Sequence, residues 1–367
     1  MATADLQLNG ASSPVPFNPP DPSAGGDQSR EQVKKSNLQK QAPKEELEKK
    51  GKMKIEHTSV MLDRCIALLA PAIENAKTPI VVDATLGWGG HSLALLEKFP
   101  NLKIVGLDRD KTAIAKASSR LSEYSDRITI VHAVYDEMPE VLNSLGLKNV
   151  DGILFDLGVS SMQLDQTERG FSYSQDAQLD MRMDQSKGIT AHEILESYSR
   201  GELIRVIRDF GEERFAARIV DNIIAQREKG GIQSTAELVQ IVKDSIPAPA
   251  RRVGGNPAKR TFQALRIEVN QELEILQRAI PRALERLEIG GRMVVMSFQS
   301  LEDKIVKQLF TAATESKTPV GLPVEIAELA AKFKLVFRGS EKASQAEITE
   351  NSRAQSVRVR AIERVAF

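Results

Sequence analysis

The chain has 367 residues, 41% of them apolar, with 50 basic and 50 acidic side chains and a formal charge of zero. That length supports a sizeable core, and the charge balance means any nucleic-acid contact must come from a local basic patch and not a global field. No apolar run is long enough to span a membrane, and the polar, Pro-rich start MATADLQLNGASSPVPFNPP has no signal-peptide core. Cys65 is the single cysteine, and His57, His91, His132 and His192 are scattered, so an internal disulfide, a C-x-x-C zinc site and an H-E-x-x-H site are excluded. A cytoplasmic protein without structural metal is expected.

Residues 1–54 read as a disordered tail, first rich in Ser, Pro, Asn and Gly and then densely charged. Order is expected from about residue 55, where SVMLDRCIALLAPAI has helical spacing. PIVVDAT, LKIVGLD, ITIVHA and VDGILFDLGV read as four strands, with HSLALLEKF and KTAIAKASSRLSEY as helices between them. Such alternation predicts a parallel sheet covered on both faces, and its first part runs over 55–164. From 165 to 262 the pattern changes to a polar, turn-rich stretch followed by amphipathic helices without a convincing strand, a helical insertion. Over 263–367 the α/β pattern resumes. FQALRIEVNQELEILQRAIPRALERL reads as one long helical stretch, GGRMVVMSF as a fifth strand, SLEDKIVKQLF as a helix capped by Ser300, and FKLVFRG and SVRVRAIERV as closing strands.

DATLGWGGHS, residues 83–92, carries three glycines directly after the first strand. In an open α/β sheet ligands sit at the carboxyl ends of strands, and Asp108 closes the second strand, where a carboxylate can accept hydrogen bonds from both ribose hydroxyls of a nucleoside. NAD and S-adenosylmethionine both fit this pair. The loop favours the second, because Gly87-x-Gly89-Gly90-His91 departs from the G-x-G-x-x-G that seats a pyrophosphate. Asp83, just before the loop, is a candidate partner for an ammonium group. After the fourth strand come Asp156, Gly158, Ser160, Ser161 and Gln163, a polar set able to grip cofactor or substrate, or else only to cap a turn.

On DATLGWGGHS, GLDRD, DGILFDLGVSSMQLDQTERGFSYSQDAQLDMRMD, RTFQALRIEVNQEL, GGRMVVMSFQSLEDKIVK and ITENSRAQSVRVRAIERV, the chain resembles the bacterial 16S ribosomal RNA cytosine-N4 methyltransferases. These stretches run in family order from about His57 to the C-terminus. The resemblance implies a Rossmann-like fold with a helical insertion, S-adenosylmethionine as methyl donor, and a cytosine of the P-site region of 16S RNA, within the small ribosomal subunit, as target. It places Gly89, Gly90, His91, Asp108, Tyr135, Asp156 and Gln163 at the cofactor, with Asp156 also the candidate catalytic residue. The sequence departs from the family at Tyr135 (usually Phe), Met162 (usually Pro), and Gln299 and Asn256 (usually His), and Gln and Asn cannot carry a proton near neutral pH.

The amino-methyltransferase tetrapeptide (Asp/Asn/Ser)-Pro-Pro-aromatic is missing after the fourth strand, where DLGV stands; NPPD at 18–21 lies in the tail and lacks the aromatic residue. Asp156 is therefore the best-placed acceptor for a reacting amine. Phe171, Tyr173 and Phe262 suit base stacking or core packing equally. RRVGGNPAKR, with Arg251, Arg252, Lys259 and Arg260, suits a phosphate-binding loop or a solvated one. Arg169, Arg182 and Arg260 can equally be structural ion-pair partners. A nicotinamide-dependent oxidoreductase and a non-catalytic ribosome-assembly factor are the rival readings, and a monomer and a homodimer both remain open.

Overall fold

The computed structural model describes residues 59–159, 167–251, 255–319 and 326–366. The tail, Ser160, Ser161, Met162, Gln163 and Arg252 lie outside the described residues. A seven-stranded sheet runs in the order β3-β2-β1-β4-β5-β7-β6. Its members are β1 (Ile80–Asp83), β2 (Lys103–Asp108), β3 (Ile128–His132), β4 (Val150–Asp156), β5 (Leu287–Ser297), β6 (Phe333–Leu335) and β7 (Arg358–Arg364). β1 to β5 are mutually parallel, and β7 inserts antiparallel between β5 and β6. The chain starts at the centre, steps outward to β3, then crosses back to β4, so strand order reverses between β1 and β4. At such a switch point adjacent loops diverge and leave a crevice at the carboxyl ends of the strands.

Each face of the sheet has its own core. One is built on α1 (Leu62–Glu74), α2 (Gly90–Lys98) and α3 (Lys111–Arg120). The other is built on α4 (Met138–Ser144), the later helices α11 (Glu272–Leu284) and α12 (Ser300–Ala313), and strand residues such as Phe155 and Val295. The near-continuous apolar runs of β1, β2 and β4 follow from this double covering.

A third apolar cluster belongs to α5 (Ala191–Ser197), α6 (Arg200–Arg205, continued by a π turn to Phe210), α7 (Ala216–Arg227) and α8 (Thr235–Ser245). The turn-rich stretch before them feeds Phe171, Leu179 and Met181 into the same cluster. After the short α9 (Ala248–Arg251), α10 (Lys259–Asn270) straddles the boundary expected at 262. Its Phe262 and Leu265 join the helical cluster, while Ile267 joins the sheet core.

The long helix expected across 262–287 is two helices. Gln271 sits at φ 49°, ending α10 and opening α11. The break is held by tertiary partners. The buried Asn270 side chain donates to Met181 O and accepts from Met183 N–H, both at 2.8 Å, and Arg109 Nη1 donates to Asn270 O at 2.9 Å. The α12 cap also differs from expectation. Gln299 is the cap residue by position, with its side-chain amide donating to Glu302 at 3.0 Å, whereas Ser300 Oγ donates to Glu212 at 2.6 Å. Glu302 accepts from the N–H groups of Phe298 and Gln299, which satisfies donors that a helix start leaves free.

Candidate active site

The glycine loop is fastened at both neighbouring strand ends. Thr85 Oγ1 accepts the Asp156 N–H at 2.6 Å, tying the loop to the end of β4. The Asp108 carboxylate accepts the Gly87 N–H through one oxygen and the Asp110 N–H through the other, each at 2.8 Å, tying it to the end of β2. Asp83 takes no part in the cleft lining. It is 2% exposed and accepts from Ser92 Oγ at 2.7 Å, so it anchors the first turn of α2 instead of facing a ligand.

The three glycines do different work. Gly87, at φ 53°, has only Thr85 O at 3.9 Å near the position of a Cβ and leaves the cleft open. Gly89 does not line the cleft; at φ 74° it packs on α3, where a Cβ would stand 2.6 Å from Leu121 Cδ1. Its lack of a side chain is needed for the start of α2 to pack on the end of α3. Gly90 lines the cleft and has Ser59 Oγ where a Cβ would be.

The cleft has a volume of about 870 Å³. Gly87, Gly90, His91, Asp108, Tyr135 and Asp156 all border it, drawn from the ends of four adjacent elements. Tyr135 stands edge-on to Phe155 with ring centroids 5.5 Å apart, under the Arg109 guanidinium at 5.9 Å, and its hydroxyl donates to Glu272 O at 3.4 Å. Burial raises the Tyr135 hydroxyl well above its usual range, so it stays neutral. Burial also lowers the His91 imidazole to about 4. Its Nε2 meets Val60 O at 3.1 Å and so donates there, leaving Nδ1 as a lone pair 3.7 Å from Asp156 Oδ2. The His91–Asp156 approach is therefore not an ion pair at neutral pH.

Asp156 is held by its backbone while 31% of its side chain stays exposed. Burial first, then the neighbouring Asp83 and Glu302, push its carboxyl up to about 7. Asp108 is raised to about 6, again mainly by burial. The floor of the cleft thus gathers carboxylates that the protein leaves short of positive charge. A cationic ligand would relieve that shortage.

The opposite wall comes from the helical cluster and the chain's end. Phe171 and Phe262 are buried in the cluster and also border the cleft, so each packs and lines at once. Tyr173 stands edge-on to Phe262 at 6.0 Å. Arg169 and Arg182 serve structure. Arg169 pairs with the buried Asp110, which also caps α3, and donates to Arg182 O and Met183 O; Arg182 pairs with Asp180 at 2.7 Å. Arg260 reaches Glu212 O at 3.2 Å, while Lys259 borders the cleft. Asn256 accepts the Ala258 N–H at 2.9 Å, an Asx turn that starts α10 and needs no titratable ring.

Sequence reading missed several cleft residues. Glu302 and the Arg266–Glu272 pair, bonded at 2.8 and 2.9 Å, sit in helices with ordinary amphipathic patterns. Trp88 and Arg353 also border the cleft. Trp88 inside a glycine loop is the available signal, because a large aromatic there has no helix face to fill.

Strand order, central switch point, glycine loop after β1 and carboxylate at the end of β2 together define a Rossmann-like nucleoside-cofactor site, and the family match makes it that of an S-adenosylmethionine-dependent methyltransferase. A model of the MraW methylase family matches residues 54–365. The chain is 55% identical over 315 residues to a protein of Saccharopolyspora erythraea named ribosomal RNA small subunit methyltransferase H, covering 86% of this chain and 95% of that one. Proteins of the same name from Mycolicibacterium smegmatis and Streptomyces avermitilis are 54% and 53% identical, each across 84% of this chain and 84% and 97% of their own lengths. The chain belongs to the MraW methylase family, and the nicotinamide reading is set aside. No described helix is long and apolar enough to cross a membrane.

Proposed function

We propose that this methyltransferase transfers the methyl group of S-adenosylmethionine to N4 of a cytosine in the P-site region of 16S RNA, acting in the cytoplasm on the small ribosomal subunit. The observation that carries this reading is the Asp156 carboxyl, partly exposed at the floor of a cleft walled by Phe171, Tyr173 and Phe262. A carboxylate acceptor suits a weakly nucleophilic amine, and aromatic walls suit a base taken out of its stack.

The residues fit the cofactor. Asp108 has lone pairs left for ribose hydroxyls beyond the two N–H groups it already accepts. Tyr135 offers a neutral ring for adenine, and the uncompensated carboxylates suit the ammonium and sulfonium charges. Gly87 and Gly90 let the backbone approach, and the family resemblance adds Gln163 as a cofactor contact. When bound, the cofactor supplies a methyl group already activated for displacement. The protein's own task is alignment and charge. Asp156 accepts the amine N–H, stabilises the positive charge that develops on N4, and takes the proton at its carboxylate before releasing it to the open cleft. His91, neutral, shapes the wall beside it.

The test is mass spectrometry of 16S RNA from cells with and without the gene. N4-methylated cytosine that persists unchanged in the deletion strain would refute the reading. A fold retained for ribosome assembly alone predicts the same unchanged pattern.

A further inference from the structure

Past the end of β5 a second cavity, of about 270 Å³, opens beside the main cleft. The two share Phe298, Gln299, Gln355 and Ser356, so they are chambers of one groove. The far wall of the smaller one carries Lys342 and Arg358. Neither cation has an ion-pair partner among the described residues; Arg358 Nη1 reaches only as near as 3.5 Å to Ser340 Oγ. The carboxylates of Glu341 and Asp303 are engaged elsewhere. Glu341, next in sequence to Lys342, is held bidentately by Arg64 at 2.6 and 2.7 Å, and Asp303 by Arg360 at 2.8 and 3.0 Å.

Protein surfaces usually intersperse charges of both signs. Here two cations face a groove while adjacent acids are turned to other arginines. The groove also has a half-buried aromatic, Phe298, and the hydroxyl of Ser356. Cations, a ring and a hydroxyl in one chamber match a nucleotide: phosphate, base and ribose. A base extruded into the main cleft leaves its flanking phosphates at the mouth, where this chamber begins.

We propose that the chamber is a second RNA subsite, holding the nucleotide next to the target cytidine. Its phosphodiester lies between Lys342 and Arg358, and its base rests against Phe298. The inference rests on the reading that the substrate is an RNA cytosine. It puts a phosphate grip beside β7, in addition to Lys259 of α10, which lines the main cleft.

The test compares wild type with the double variant Lys342→Ala/Arg358→Ala on isolated small ribosomal subunits and on a cytidine-containing single-stranded oligoribonucleotide. KM for RNA should rise about tenfold at physiological salt, with kcat within about twofold, because two phosphate contacts are lost. The slope of log KM against log salt should become shallower by about 1.4, roughly 0.7 for each contact to a single strand. S-adenosylmethionine affinity and the thermal midpoint should stay at wild-type values. Lys342→Arg/Arg358→Lys, which keeps both charges, should restore the slope. If the double variant folds poorly, Lys342→Ala alone, at an exposed position, should give about half the slope change. A double variant with wild-type KM and slope, beside a wild type that methylates RNA, overturns the subsite alone. A wild type that methylates no ribosomal RNA cytosine overturns the underlying reading and the subsite with it.

Discussion

The Asp108 carboxylate and the Gly87 N–H are joined at 2.8 Å, so the strand end that should hold a ribose also shapes the loop that should approach it. Asp108→Ala is therefore expected to weaken S-adenosylmethionine binding by about 1–3 kcal/mol, the range for a hydrogen bond to a charged group. Asp108→Asn, which keeps one acceptor oxygen, should lose less. Calorimetric titration of both variants checks this, and unchanged affinity in the alanine variant would remove Asp108 from the site.

Asp156 is where cofactor and substrate readings meet. Asp156→Asn keeps size and one acceptor but not the charge. If the carboxylate stabilises the developing amine cation, single-turnover methylation should fall by orders of magnitude while the cofactor dissociation constant moves little. If it chiefly holds the cofactor, affinity should fall and turnover at saturation should recover. With both quantities unchanged, Asp156 would be only a strand-end turn residue.

The same carboxylates predict a pH dependence of stability. Burial raises Asp156 to about 7 and Asp83 and Asp108 to about 6, above the unfolded carboxyl near 3.8. The folded protein then binds protons that the unfolded chain releases, so these groups make stability fall as pH rises from about 4 to about 7. Thermal midpoints of the cofactor-free protein across that window should fall more steeply for wild type than for Asp156→Asn. Identical slopes would assign the titration to other groups.

Gly89 and Gly87 should separate packing from ligand approach. Gly89→Ala places a Cβ 2.6 Å from Leu121 Cδ1 at a positive φ, and is expected to cost about 1–3 kcal/mol of stability through overpacking and strain. Gly87→Ala meets open space, with Thr85 O at 3.9 Å, so it should cost less stability and act mainly on cofactor affinity. Denaturant unfolding and cofactor titration on the same two proteins test the distinction, and a reversed order would refute it.

The basic stretch 251–260, which runs from the end of α9 into the start of α10, provides the last comparison. Replacing Arg251, Arg252, Lys259 and Arg260 with Ala should weaken RNA binding and flatten its salt dependence while cofactor affinity stays. A salt slope equal to wild type would make the patch a solvated loop.

Local pattern alone revealed the alternating strands and helices, the glycine loop, and the carboxylates at 108 and 156. Period, apolar runs and strand-end chemistry are short-range properties, and they are written directly into neighbouring residues. The family resemblance supplied the cofactor and target on the same stretches. What sequence could not supply came from partners distant in the chain. Gln271 breaks one apparent helix into two because Asn270 is claimed by Met181 and Met183, some ninety residues earlier, and by Arg109. Asp83 looks like a ligand group until Ser92 is found bonded to it, and only the fold shows Leu121 standing where a Gly89 side chain would be. Arg169 reads as a possible structural ion-pair partner, and only the fold supplies Asp110 as that partner in the interior. Glu302 and Lys342 reach the groove only because β5 and β7 lie side by side in the sheet. Burial and pairing are properties of the assembled molecule, and they decide which of several chemically able side chains is left free to act.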